Sequence, residues 1–220
     1  MFIVEETIAG ADAVQIPTQR GESLLETAVR YAEERHWDVV PGTWTEVVDG
    51  MHACSCGDAA CSAPGAHPAG PDWADRATGS AGAARRMWQQ RPGASILLPT
   101  GRAFDAISVP ETAGLLALAR MERMRLTPGP VTRTPHRRTE FFVLPGAAAK
   151  LPDLLRALGW TASSLDLAVL GEGAYVTAPP TRVGRHGAVQ WVRRPTQENR
   201  WLPDAEELAP ALAYACGQNR

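Results

Sequence analysis

An α/β or α+β domain is the fold class this sequence predicts, and three observations predict it. Strand-like runs and amphipathic helical segments alternate along most of the 220 residues, with no internal repeat. Apolar residues make up 45% and charged residues 21%, an ordinary globular composition on a chain long enough to bury a real core. No run approaches the ~18 apolar residues of a membrane span, so no membrane association is expected. Met1 to Glu6 lack the basic and apolar regions of a secretory signal, and a cytoplasmic protein is expected.

The elements follow in order. Residues 1–22 read as an N-terminal strand and arm interrupted by Gly10 and Pro17. Ser23-Leu24-Leu25-Glu26 is a capping box, in which hydroxyl and carboxylate satisfy orphan amides reciprocally. It opens a helix with the stripe Leu25, Ala28, Val29 and Ala32 that should end near His36. A strand over 37–40 is closed by Pro41. A helix over 80–90 carries Trp88 near its end, and strands over 94–98 and 104–109 flank Gly101. Pro110 opens a helix whose apolar face is expected at Leu115, Leu118 and Ala119. Strands over 131–134 and 140–144 are joined by Pro135-His136-Arg137-Arg138. A helix over 152–158 stops at Gly159. Strands over 165–170 and 175–178 are expected to form a hairpin around Gly171-Glu172-Gly173. A strand over 190–192 and a last helix from Pro203, kinked by Pro210, complete the chain.

One segment has no apolar periodicity. Cys54, Cys56, Cys61 and His67 follow the spacing C-x-C-x4-C-x5-H within fourteen small, polar, turn-forming residues. Something other than a core must order it, and a tetrahedral Zn²⁺ held by three thiolates and one imidazole would do so. Four protein ligands leave no open position, so this zinc would be structural. Reduced core cysteines and a disulfide are the rival readings. An odd cluster of three without a signal peptide argues against a secreted disulfide framework. Cys216, alone near the C-terminus, reads as a small buried hydrophobe.

Charge is uneven although the net is −2. Residues 1–53 carry ten acids and three bases, whereas 131–200 carry ten bases and five acids. A basic middle could bind an anion on one face; a solvated mixed surface explains the same counts.

Several stretches together resemble one family. Ala28-Val29-Arg30-Tyr31-Ala32, then Trp37 and Pro41, is similar to the opening of the bifunctional DNA primase/polymerase N-terminal domain. Cys54-Ser55-Cys56-Gly57, Cys61 and Pro64-Gly65-Ala66-His67-Pro68 resemble the cysteine insertion of its bacterial, chiefly actinobacterial, members. Trp73, Ala77-Thr78, Trp88 and residues 92–101 follow in the family's order. The run 171–180, ending in Pro179-Pro180, looks like its late strand-and-proline motif, with Trp191 beyond. The likeness spans roughly residues 23–192. It implies an archaeo-eukaryotic primase-like fold: an antiparallel sheet of RNA-recognition type packed beside a smaller α/β unit carrying the zinc loop. On this reading 23–200 form the domain, with the zinc loop 52–68 inserted. Residues 201–220 add a helix packed on it, and no helicase-type module is expected in cis. Trp37, Trp73, Trp88 and Trp191 fall at family positions where packing is expected.

The resemblance also implies what is missing. Active members carry two aspartates at i and i+2 on the strand after the Thr-Gly turn, where they hold divalent metals. Ser108 and Pro110 stand at those positions, and Asp105 belongs to the opposite face of a strand. A hydroxyl and a proline make a poor Mg²⁺ site. The family's catalytic histidine is matched by Glu140, with His136 in the preceding turn as the other candidate. No catalytic residues are therefore assigned, and Ser108, Pro110 and Glu140 mark a degenerate site. Arg133, Arg137, Arg138, Arg182 and Arg185 are the candidate phosphate contacts, by guanidinium forks; a solvated rim is the alternative. Of Phe141 and Phe142, alternating on a strand, one is core, and base stacking is the alternative for the other. The function expected is a primase/polymerase-like module without catalysis, binding single-stranded nucleic acid, nucleotides or a protein in DNA metabolism. Two alternatives stand beside it. One is an active enzyme whose carboxylates come from Asp105, Glu111 or Glu140. The other is an interaction protein that binds no nucleic acid.

Overall fold

The computed structural model describes residues 23–48, 50–197, 199 and 201–218. The expected N-terminal strand and arm lie outside the described residues. Helix α1 (Leu24–Arg35) begins with both hydrogen bonds of the capping box and ends at His36, which turns left-handed with φ 55°. Strands β1 (Val40–Pro41), β2 (Thr45–Val48) and β3 (Met51–Cys54) lead into the cysteine loop, and a 3-10 turn covers Pro71–Arg76. Helix α2 (Ala81–Gln90) is capped by Ser80, whose hydroxyl accepts the Ala83 amide. Next come β4 (Ile96–Pro99), β5 (Asp105–Pro110), α3 (Glu111–Arg123), β6 (Val131–Arg133) and β7 (Arg138–Val143). Helix α4 (Ala147–Ala157), β8 (Ala168–Leu170), β9 (Tyr175–Thr177), β10 (Arg182–Val183), β11 (Gly187–Ala188), β12 (Gln190–Arg193) and α5 (Ala205–Gln218) complete the order.

The central sheet has five antiparallel strands in the order β12-β6-β7-β5-β8. Ile107, Val109, Val131, Phe141 and Val143 point from it into a core shared with α3, α4 and α5. The side-chain period of two sends their neighbours to the other face. There Ala106 and Phe142 join a second core with α1, α2 and the three-stranded sheet β1-β4-β9. Four aromatics form the seam. Phe104 and Phe142 stack at 4.6 Å, Trp37 lies 5.2 and 5.3 Å from them, and Trp191 is 5.5 Å from Phe142. The Trp191 indole donates to the Tyr31 hydroxyl, which donates to the Pro179 carbonyl, so both of these polar tips are satisfied.

Five expectations need correcting. The strand expected over 37–40 is β1, Val40–Pro41, in which Pro41 pairs with Ile96 and does not close the strand. The α3 face toward the sheet is Ala113, Gly114, Ala117 and Met121; of the expected residues Leu118 packs at the edge of that core, whereas Leu115 is half exposed and Ala119 is exposed. Packing is too close for leucines there: a Cβ on Gly114 would sit 2.5 Å from the Thr139 Cβ. Helix α4 starts five residues earlier than Pro152, because the Asp105 carboxylate accepts the Gly146 and Ala148 amides and caps it. Residues 165–178 form no hairpin, since β8 pairs with β5 and β9 pairs with β4. The turn is real (the Ala174 amide bonds the Gly171 carbonyl), but Thr100 holds it from the side. The Thr100 hydroxyl donates to the Gly171 carbonyl and its amide to the Ala174 carbonyl, so the chain leaves along β4. Lastly, Trp73 is not a core residue: it is half-buried and meets Tyr175 edge-on at 5.4 Å.

Candidate functional site: a cleft walled by the cysteine loop

Where the two sheets diverge they leave a cleft of about 530 Å³. Its lining includes Glu140, Arg138, Thr134 and His136 from the β6–β7 region, Trp73, Tyr175 and Leu170, and Ala63 and Ala66 from the cysteine loop. Register explains the floor. Ser108 lies opposite Glu140, Glu140 opposite Thr132, and Pro110 opposite Arg138, all on the face turned from α3. The three positions where the resemblance puts catalytic groups, Ser108, Pro110 and Glu140, are thus cross-strand neighbours.

What they do there is specific. The Arg138 guanidinium donates from Nε to the Ser108 hydroxyl at 3.1 Å and from Nη2 to the Ser108 carbonyl at 2.9 Å. Its Nη1 donates to Asp166 at 2.6 Å. A fixed cation therefore rests on Ser108. Glu140, only 8% exposed, accepts the Thr132 hydroxyl at 2.9 Å. Burial pushes its carboxyl up to about 7, against the Thr132 hydrogen bond and the Arg138 charge, which pull it down. Burial also raises the Tyr175 phenol, and the charges on Cys61 and Glu140 add to that.

The other carboxylates are engaged elsewhere. Asp105 caps α4 beneath the sheet. Glu111 pairs with Arg133 at 3.1 Å and with Arg137 at 3.8 Å.

The five candidate arginines divide. Arg138 is part of the floor. Arg133 is held by Glu111 and by Gln190 at 2.7 Å. Arg137, in a left-handed conformation at the β6–β7 turn, is largely exposed. Arg182 and Arg185 are exposed on the β10–β11 hairpin, and neither makes an ion pair with another described residue. His136 and His186 approach to 5.6 Å, so this hairpin and the β6–β7 turn share one rim.

The cysteine loop is built into the same wall. Gly184 donates its amide to the Pro64 carbonyl at 2.8 Å, and Ala66 packs with Val183 and Val189 of the arginine hairpin region. The ligand atoms of Cys54, Cys56, Cys61 and His67 all lie within 4.8 Å of one another, and the cysteines are unbridged. A tetrahedral site with ~2.3 Å metal–sulfur bonds needs sulfurs about 3.8 Å apart, so the set fits a metal ion such as Zn²⁺. The Pro68 carbonyl lies 2.8 Å from His67 Nδ1, which fixes the proton there and leaves Nε2, 3.3 Å from the Cys54 sulfur, to ligate. Without a cation the thiols obstruct one another. Burial raises Cys54, but the Cys56 and Gly65 amides with Thr43 bring it down to about 6. Cys61 is pushed up to about 11, by burial and then by Cys54 and Cys56. A divalent ion relieves that conflict. Cys216 is buried, as expected, among the helices of the larger core.

Sequence reasoning missed Thr132, Asp166, Trp73 and Tyr175 as parts of the site. Only the register of β6 on β7 could have found Thr132; Trp73 comes from the 3-10 turn, Asp166 from the segment before β8 and Tyr175 from β9, all distant in sequence from β7. Among the described residues no helix is long and apolar enough to cross a membrane.

Comparison with known proteins returned no curated protein and no solved structure. The family model for bifunctional DNA primase/polymerase, N-terminal, matches residues 28–211, a span that takes in both sheets, the cysteine loop and the cleft floor. The chain belongs to the bifunctional DNA primase/polymerase N-terminal family.

Proposed function

We propose that this chain is a cytoplasmic primase/polymerase-like module that performs no metal-dependent nucleotidyl transfer. It binds single-stranded nucleic acid or nucleotides at its cleft, in DNA metabolism or its regulation. The observation that carries the reading is the Arg138 guanidinium on Ser108. Two-metal transfer needs carboxylates that clamp divalent ions against the attacking and leaving oxygens. Here that place has a hydroxyl, a proline and a resident cation, which repels a divalent ion. Neither Asp105 nor Glu111 serves as a substitute, since one caps a helix under the sheet and the other is held by two arginines. For binding, the support is the exposed arginine hairpin at the cleft rim and the basic balance of residues 131–200. A structural zinc on Cys54, Cys56, Cys61 and His67 would hold the wall on which that hairpin rests.

Primer synthesis and extension assays with Mg²⁺ and with Mn²⁺, beside a titration with fluorescent single-stranded DNA at low salt, test this. No extension and salt-sensitive binding are expected. Extension by the wild-type protein would overturn the catalytic half. Absence of binding at low salt would turn the reading toward a protein partner.

A further inference from the structure

We propose that the cleft takes a guanine nucleotide base first, with the base on Glu140 and the phosphate at Arg182 and Arg185. This rests on the binding function proposed above and adds an orientation and a base. A cleft of about 530 Å³ is in the range of ~300–1,000 Å³ typical of small-molecule sites.

The floor decides which end of a nucleotide goes in. Glu140 lines the cleft with one oxygen on the Thr132 hydroxyl and no donor from a described residue on the other. The nearest cation, Arg138, has its charge paired with Asp166 and three of its five N–H groups bonded to Ser108 and Asp166. A phosphate placed there would meet an acid with no spare counter-charge, and like charges in a buried site are costly. A group with N–H donors would instead satisfy the free oxygen. The walls favour the same end, since Trp73 and Tyr175 offer aromatic surface and Leu170, Ala63 and Ala66 are apolar. Such surfaces suit a flat base and not a phosphate.

The rim supplies the complementary charge. Val183 and Val189 line the cleft while Arg182 and Arg185, exposed and without ion pairs among the described residues, stand on the same hairpin. His136 and His186 close that edge. Among bases, guanine presents adjacent imino and amino donors that match the two oxygens of one carboxylate. Adenine and cytosine present only an amino group, and uracil only an imino group.

Calorimetric titration of the full chain at pH 8 and low salt distinguishes these roles, using GMP, AMP, CMP, UMP, guanosine and pyrophosphate. GMP should bind about tenfold or more tightly than the other monophosphates, the discrimination of one good bidentate pair. Guanosine should bind more weakly than GMP, and pyrophosphate should fail to displace it. Glu140→Met should remove the guanine preference. If that variant does not fold, Thr132→Val, which frees the carboxylate from its orienting hydroxyl, should reduce the preference. Arg182→Ala with Arg185→Ala should weaken all four monophosphates alike and leave guanosine unchanged. Equal affinity for the four bases, displacement of guanosine by pyrophosphate, or tighter monophosphate binding by Glu140→Met would overturn the orientation. Binding of single-stranded DNA without any mononucleotide binding would overturn this inference alone. Failure of both titrations would remove the proposed binding function as well.

Discussion

Glu140→Gln removes a charge from the cleft floor while keeping the side chain's length and an oxygen for the Thr132 hydroxyl. In the folded protein the carboxyl is raised from its ordinary 4.5 to about 7, chiefly by burial. Between those pH values the native state holds a proton that the unfolded chain has released. Stability therefore declines as pH rises from about 4.5 to 7, and above 7 the full penalty is present and constant. At ~1.4 kcal/mol per pH unit, the gap amounts to about 3 kcal/mol. Arg138 on the same strand, Asp166 bonded to it, and Tyr175 and His136 in the cleft are present in both proteins, so their contributions largely cancel in a difference. Urea unfolding of both proteins across pH 4.5–8.5 measures it. Relative to wild type, the variant should gain about 3 kcal/mol between the two ends, or ~6–12 °C in Tm for a chain of this size. A difference that stays flat across this range would refute the account of a buried, uncompensated acid on the floor.

Purified protein should contain about one Zn²⁺ per chain by elemental analysis, and Cys61→Ser should lose the metal and melt at lower temperature. Arg182→Ala with Arg185→Ala should weaken single-stranded DNA binding and reduce the logarithmic salt slope by ~1.4, about 0.7 for each phosphate no longer neutralised. Gly114→Ala should cost ~1–3 kcal/mol in urea unfolding, because its Cβ would meet Thr139 at 2.5 Å. Asp105→Ala should cost ~1 kcal/mol through loss of the α4 cap and leave DNA binding unchanged in the same titration.

Features encoded by neighbours in the chain are legible in the sequence itself. The α1 capping box needs only Ser23 and Glu26 three residues apart, and the metal set is four ligands within one loop. That Ser108 and Pro110 share a face follows from strand periodicity, and Glu140 joins them through the β5–β7 register. What depends on distant partners is not legible. Helix α4 begins where it does because a carboxylate from β5 reaches its first amides. The buried face of α3 follows the space Thr139 leaves, so small residues and not leucines mark it. Glycines 171 and 173 do signal a turn, but Thr100, some seventy residues earlier, decides that the strands on either side join different sheets. A tryptophan such as Trp73 reads as packing material because tryptophan usually is; its place on the cleft wall comes from Tyr175.

The aromatic seam of Trp37, Phe104, Phe142 and Trp191 bears on how this molecule could change over evolutionary time. It lies behind the cleft, and none of its four rings belongs to the lining. Cohesion between the two sheets is thus supplied by one set of side chains and chemistry by another. Residue types on the floor can be exchanged, acid for hydroxyl or imidazole for carboxylate, while the sheets keep their mutual angle. A scaffold of this kind holds its sheets together whichever side chains line the cleft, which makes it a practical starting point for installing new binding specificities.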